Sequence, residues 1–296
     1  MMSKKFYLRG GSFLCLMLCL ACWMFPAGAE EPDGFFDRVE ADSIGKIFRN
    51  YDSPTLKYTA ESFTMDHAKC YLVRLWVKEP ERQIRKATAD WKKNRQYPVN
   101  MAKQIPDAAL VINGSGYVSP QYPQIPENYP GESEDYFYTP LGSLTITDGE
   151  LFRNMEGIAY YGLTLDADGL QMYTGADNKA VLETNPVQTW SFYDTCPMLR
   201  DNVDLLPEEW KFADRKAART IIGRLDQNNY LVLSIKNGLT LRRALRFFQE
   251  NFQAEWVYNL DGGPSSALFL RDRGTRRLTL IAGGEAKDID IMAFTE

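Results

Sequence analysis

Residues 256–266, "WVYNLDGGPSS", run apolar into a strand and leave it through an amide, a carboxylate, two glycines and two hydroxyls. Side chains alternate along a β-strand, so Trp256, Tyr258 and Leu260 share one face while Val257, Asn259 and Asp261 share the other. Such a segment reads as a core strand that ends in chemistry. Gly262 and Gly263 reach backbone conformations closed to other residues and let a ligand come close to the main chain. Pro264 removes one donor and stiffens the turn. Ser265 and Ser266 bring hydroxyls and N–H groups suited to an anion-binding concavity. The same residues also suit a glycine turn capped by Asp and Ser. Within this stretch both readings stand.

Two other segments have the same character. "ALVINGSGY" (109–117) is again an apolar run, here stopped by Asn113, Gly114, Ser115 and Gly116. "ARTIIG" (218–223) opens an apolar strand with Arg219 and Thr220. A guanidinium at such an edge can fork onto a phosphate or carboxylate, although a surface salt bridge uses it equally well. Two polar strand ends and one cationic strand start together predict a cleft.

The rest of the chain sets the fold class. Asp226–Asn229 separates "ARTIIGRL" from "YLVLSI", a hairpin pattern, and "SALFL" and "RLTLIAG" form another around Arg273 and Gly274. Asp148-Gly149 and Asp168-Gly169 mark two more hairpins. Residues 70–77 alternate as a strand stopped by Pro80, residues 81–97 are charged enough for a surface helix, and "TWSFYDTCPMLRD" is a strand interrupted by Asp194 and Pro197. After Thr240, a capping residue, Leu241, Ala244, Leu245, Phe248 and Phe252 recur at helical spacing. Residues 119–140 form a loop with five prolines, long enough to be a lid. Strands outnumber helices and neighbour one another, which predicts an α+β fold: a mixed or antiparallel β-sheet core with a few covering helices, in a single domain.

Composition narrows the function. Residues 1–29 read as a secretory signal peptide: Lys4, Lys5 and Arg9, then an apolar run from Phe13 to Phe25, then Ala27-Gly28-Ala29. The run is too short to span a bilayer, so the expected product is secreted or periplasmic with no stable membrane span. A lipid anchor at Cys22 fits less well, because Cys19 stands where an aliphatic residue is usual. Residues 30–64 read as an N-terminal arm or linker before a domain over residues 65–296. Cleavage removes three cations and no acids, taking the net charge from −5 to about −8. An acidic chain argues against nucleic-acid binding, which rests on neutralising phosphates. Cys70 and Cys196 would remain, either as a disulfide or as buried thiols. The single histidine, His67, reads as a loop residue. Ser-His-Asp catalysis and multi-histidine zinc sites are thereby disfavoured.

With these residues in place, the chain resembles the phosphodiester glycosidase family. "NLDGGPSSALFL" is similar to that family's Asn-Leu-Asp-Gly-Gly-Gly-Ser-Ser signature. "ALVINGSGY" resembles its Asn-Gly-Gly-Phe strand end, "SFYDTCPMLRDN" its Phe-Gly-Pro segment, "RTIIG" its Arg-Thr-x-x-Gly strand and "NGLTLRRALRFF" its Gly-x-Thr-Leu helix, in the same order over residues 65–296. Pro264 replaces a glycine, Ser115-Gly116 alters the first motif, and residues 193–196 stand where Phe-Gly-Pro begins.

The resemblance implies hydrolysis of a sugar-1-phosphodiester, or a related cell-envelope or exopolysaccharide linkage, at the anomeric carbon. Phosphate is already a good leaving group, so the needs are to hold it and to activate water or stabilise an oxocarbenium-like centre. On this reading Asp261 is base or electrostatic stabiliser, Arg219 holds phosphate, Asn113 orients, and Asp194 is a second carboxylate. Gly114, Thr220, Asn259, Gly262, Gly263, Ser265 and Ser266 line the substrate and phosphate site. No cofactor is required. A Ca²⁺ or Mg²⁺ ion at Asp261 and Asn259 is one way to relieve repulsion between carboxylate and phosphate. Two rivals remain at this level: a noncatalytic envelope protein that binds glycans or anions, and a metal-dependent phosphoesterase attacking phosphorus.

Overall fold

The computed structural model describes residues 34–91, 93–118, 137–192, 196–272, 274 and 277–296. The segment 1–29 expected to be a signal peptide, Cys22, Asp194, Arg273 and most of the proline-rich loop lie outside the described residues.

The largest element is an eight-stranded sheet. Its order is Lys46–Asp52, Leu56–Met65, Ala68–Val77, Asn229–Leu239, Ala217–Arg224, Trp256–Asn259, Pro197–Arg200 and Val203–Asp204. A five-stranded sheet runs Leu278–Gly283, Ala267–Arg271, Ala108–Asn113, Asp290–Thr295 and Ile84–Thr88. Tyr160–Asp166 sits between Gln188–Ser191 and Gly169–Ala176 in a three-stranded sheet, and Leu144–Thr147 pairs with Glu150–Asn154. Every ladder among the described residues is antiparallel. The expected sheet-rich α+β fold is therefore the antiparallel form.

Alternation explains how the layers meet. In Asn229–Leu239, Tyr230 and Val232 face one core, while Leu231, Leu233 and Ile235 face another. Trp256, Tyr258 and Leu260 join the first core and Val257 joins the second, as the strand period requires. The first core fills the space between the large sheet and the five-stranded sheet, whose Leu110, Ile112, Leu268, Leu270, Met292 and Phe294 enter it. The second is covered by the helix Leu241–Asn251, which buries Leu241, Ala244, Leu245, Phe247 and Phe248. Each of the leucines and phenylalanines contributes about 1.5–3 kcal/mol by leaving water. Thr240 caps this helix, its hydroxyl oxygen accepting the Arg243 N–H at 3.2 Å.

Three expectations change. Much of the supposed arm at 30–64 is sheet: Lys46–Asp52 pairs with Leu56–Met65, which pairs with Ala68–Val77. Of its aromatics, Phe35 and Phe36 begin the short helix Phe35–Ala41, while Phe48, Tyr51, Tyr58 and Phe63 lie in strands, with Tyr51 and Tyr58 stacked at 5.3 Å in the core. The charged stretch 81–97 supplies only the end of a one-turn helix, Pro80–Gln83, before the strand Ile84–Thr88, because Lys86 is buried in an ion pair. Phe252 leaves the helix as its extended C-cap, and Phe247 takes a place on the buried face.

The hairpins at Asp148-Gly149 and Asp168-Gly169 are present. His67 is an exposed turn residue with a left-handed backbone, φ 67°. Cys70 and Cys196 are buried thiols in different cores, so neither bridges the other.

Candidate functional site

Asn113 ends the strand Ala108–Asn113 in the five-stranded sheet, fully buried. Its Oδ1 accepts from the Thr220 hydroxyl at 2.6 Å and from the Ala267 N–H at 2.9 Å. Its Nδ2 donates to the Asp261 carbonyl at 2.9 Å, and the Asp261 N–H donates back to the Gly114 carbonyl at 3.2 Å. One amide thus joins both large sheets, tying the Arg-Thr strand to the Asn-Leu-Asp strand end. Removing the Asn113 amide would leave the buried Thr220 hydroxyl and the Ala267 N–H unsatisfied, at a cost of about 1–3 kcal/mol each.

Asp261 follows immediately, half-buried. Its Oδ1 accepts the Gly262 N–H at 2.7 Å. Burial raises its pKa to about 7; the Ser265 hydroxyl, the Gly262 amide and the Arg219 charge oppose the rise, and the Asp290 charge adds to it. A carboxyl of this kind exchanges its proton near neutrality, as a general base must.

Arg219 is 1% exposed, with its guanidinium 4.5 Å from the Phe212 ring. Nη2 donates to the Arg215 carbonyl at 3.1 Å and to the Phe212 carbonyl at 3.5 Å, while the buried Nε has no hydrogen-bond partner. Burial lowers its pKa to about 10. A Cβ on Gly262 would lie 3.1 Å from the Ala218 carbonyl and 3.4 Å from Arg219 Nη1. The backbone at Gly262 therefore passes directly against the guanidinium, and Asp261 feels its charge.

The turn differs from the anion-binding concavity expected of it. Ser265 and Ser266 spend their N–H groups on the Gly262 and Gly263 carbonyls, at 3.3 and 3.2 Å, closing a single 3₁₀ turn. Gly262 spends its own on Asp261, and Pro264 has none. Gly263 is left to present an amide; its φ is +63°, and a Cβ there would meet nothing. The Ser266 hydroxyl and the Asn259 Oδ1 are buried without partners, while Asn259 Nδ2 lies 3.8 Å from the Cys196 sulfur.

The first strand end is also unlike its sequence reading. A side chain on Gly114 would collide with the Asp290 carboxylate, so this glycine serves packing and its carbonyl serves Asp261. Ser115 gives its N–H to Asp290 Oδ1 at 2.6 Å and its hydroxyl to Oδ2 at 2.8 Å. Lys86 completes this group 3.2 Å from Asp290, both side chains wholly buried, and donates to the Thr189 carbonyl at 2.6 Å. The altered Ser115-Gly116 motif is therefore matched by a buried lysine–aspartate pair beneath it.

Sequence reasoning missed Asp288, Asp290, Lys86 and Tyr117. The signal was there: in "AKDIDIM" two carboxylates two residues apart lead into an apolar strand, and both are buried, Asp290 as the first residue of Asp290–Thr295 and Asp288 in the extended stretch before it. Asp288 is 1% exposed, and neither of its oxygens makes a hydrogen bond. Burial and then the Asp261 charge push its pKa well above the usual carboxylate range. The Tyr117 hydroxyl lies 3.3 Å from the Ser265 hydroxyl and donates to the Lys287 carbonyl at 3.0 Å; burial raises its pKa to about 12.

Calcium or magnesium takes six or more oxygens in a hard cage. Among the described residues no group of three or more His, Cys, Asp or Glu is placed to hold a metal ion. Asn259 and Asp261 alone supply fewer oxygens than such an ion takes.

A sheet-rich hydrolase scaffold, with its polar groups gathered where strands of two sheets end, is the class that this fold and site define. The chain belongs to the phosphodiester glycosidase family, whose profile matches residues 106–287. Its fold is similar to the catalytic domain of zebrafish N-acetylglucosamine-1-phosphodiester α-N-acetylglucosaminidase, auto-inhibited by its pro-peptide, at a TM-score of 0.61 and 18% identity over 83% of this chain and 85% of that one. It is also similar to a hypothetical protein from Synechocystis, at a TM-score of 0.54 and 11% identity over 86% of this chain and 64% of that one. No curated protein matches it by sequence. Among the described residues no helix is long and apolar enough to cross a membrane.

Proposed function

We propose that the protein is an exported hydrolase that cleaves a sugar-1-phosphodiester at the anomeric carbon. The observation that carries this reading is the Asn113 junction: Thr220 and Asp261 meet on one side chain, and the strand that supplies Thr220 also sets Arg219 against Gly262. Family membership supports the reaction class.

Water attacks the anomeric carbon, the carbon–oxygen bond to phosphate breaks, and the phosphomonoester leaves with the electron pair. Asp261 accepts the water proton; with a pKa of about 7 it is ionised above neutrality and protonated below. Arg219 supplies positive potential to the leaving phosphate from beneath Gly262, and the Gly263 N–H reaches it from the open side. Asn113 and Thr220 hold Asp261 in place.

Purified protein incubated with sugar-1-phosphodiesters in ¹⁸O water, with and without chelator, tests this directly. Label in the released sugar supports carbon attack. Label in the phosphate means a phosphoesterase, and saturable binding without turnover means a binding protein.

A further inference from the structure

Arg95 and Lys287 are cations that the mechanism above leaves unused, and the backbone ties both to the turn that follows Asp261. The Gln96 N–H donates to the Asp288 carbonyl at 2.9 Å and the Asp288 N–H to the Gln96 carbonyl at 2.8 Å, so the two cations flank one antiparallel bridge. The Ala286 N–H then donates to the Pro264 carbonyl at 3.2 Å. Arg95 and Lys287 thus stand on main chain that is hydrogen-bonded to the turn.

Tyr117 makes the same connection through side chains. Its hydroxyl donates to the Lys287 carbonyl at 3.0 Å and lies 3.3 Å from the Ser265 hydroxyl. The Arg95 guanidinium lies 4.7 Å over the same ring, and the Lys287 ammonium lies 5.8 Å from the Tyr97 ring. Elsewhere exposed cations such as Arg82 and Lys93 turn to carboxylates. Among the described residues neither Arg95 nor Lys287 has a carboxylate within ion-pair distance. A guanidinium held over a tyrosine is oriented by the ring, and its planar fork of N–H groups matches an oxyanion. Tyr97, 41% exposed, adds a ring face beside Lys287.

An anionic substrate that approaches the Asp261 carboxylate is repelled unless cations offset the charge. Arg219 does so from beneath Gly262 and is 1% exposed. Arg95 is half-buried and Lys287 exposed, so these two act from the solvent side. The Tyr117 ring separates Arg95 from Ser265. An anion on Arg95 is therefore a second charge, a ring's width from the phosphate being cleaved. We propose that Arg95, held on Tyr117 and supported by Lys287, is a specificity-determining residue whose subsite takes a second anionic group, carboxylate or phosphate, carried by the sugar or by its aglycone. The subsite rests on the reading of the site as a phosphodiester glycosidase and says which substrates that site prefers.

Three probes separate the parts: the methyl phosphodiester of glucose, the same diester of glucuronic acid, and the carboxymethyl phosphodiester of glucose. The first has no second charge, the second carries it on the sugar and the third on the aglycone. Dissociation constants are measured by calorimetry in an Asp261→Asn background, with and without Arg95→Met, and kcat/KM in wild type and Arg95→Met. One carboxylated diester is expected to bind about tenfold tighter than the neutral one, as a charge-assisted hydrogen bond gives, and the one that does so locates the second charge. Arg95→Met should remove that preference, costing the carboxylated diester far more than the neutral one, and Arg95→Lys, which keeps the charge without the planar fork, should restore part of it. In turnover the loss should fall on KM rather than kcat. Two results overturn the subsite while turnover of the neutral diester leaves the glycosidase reading standing: no preference for either carboxylated diester, or a preference that survives Arg95→Met. An equal loss for all three probes in Arg95→Met makes Arg95 a support for Tyr117 and overturns it too. Failure of all three to bind or turn over counts against the glycosidase reading itself and takes the subsite with it.

Discussion

At the end of Ala108–Asn113, Gly114 is packed against the Asp290 carboxylate and Ser115 commits both of its donors there. At the end of Trp256–Asn259, Gly263 looks onto open space, Ser266 keeps a hydroxyl without a partner, and Asp261 has a pKa near neutrality. The two strand ends share a composition of amide, glycine and small hydroxyl, yet one is closed and the other open. The closed end holds the open one: Asn113 and the Gly114 carbonyl fix the Asp261 backbone, and Lys86 with Asp290 fixes Gly114 from below. Similar residues serve as foundation in one place and as reactive surface in the other.

That contrast can be broken from either side. The largest expected effect is on the closed end: Lys86→Met leaves Asp290 buried beside Asp288 and Asp261 with no cation, and thermal or denaturant unfolding should register a loss of about 3–5 kcal/mol. Asp261→Asn acts on the open end and should do the reverse, keeping an unfolding transition close to wild type while turnover of a sugar-1-phosphodiester falls about a hundredfold or more. Gly114→Ala drives a methyl group into a carboxylate that Lys86 and Ser115 hold rigidly, with an expected stability loss of about 1–3 kcal/mol. Gly263→Ala meets no neighbour and carries only the backbone strain of its positive φ, about 1–2 kcal/mol. A smaller loss for Gly114→Ala than for Gly263→Ala would mean that the closed and open ends have been assigned the wrong way round.

Much of this was legible before any coordinates. Period-two alternation placed Trp256, Tyr258 and Leu260 opposite Val257, and helical spacing after Thr240 found most of the covering face, because both patterns are local. The convergence of Asn113, Thr220, Asp261 and Arg219 was anticipated as a cleft but could not be derived, since their contacts span about a hundred residues or more. Three features were hidden for specific reasons. The amides of Ser265 and Ser266 looked available because sequence does not say that the turn closes on itself. Gly114 looked like a ligand approach because its true neighbour, Asp290, comes from near the chain's other end. Lys86 looked like part of a solvated charged run because a buried lysine is recognisable only once its aspartate is seen beside it. Residues 30–64 read as an arm because the hydrophobic alternation within them is diluted by charge, and only the pairing of Lys46–Asp52 and Leu56–Met65 with each other and with Ala68–Val77 makes that part sheet.

The central claim is that residues from separate segments create one carboxyl able to lose its proton at neutral pH and act on a phosphate-linked sugar. The rate of sugar release from a sugar-1-phosphodiester, followed from pH 5 to 9 in wild type and Asp261→Asn, tests it most directly. Wild-type kcat/KM should climb about tenfold per pH unit below a midpoint near 7 and then level off, with the Asn variant low and without that step. A variant that turns over at the wild-type rate, or that keeps the same midpoint, would show that Asp261 is not the base.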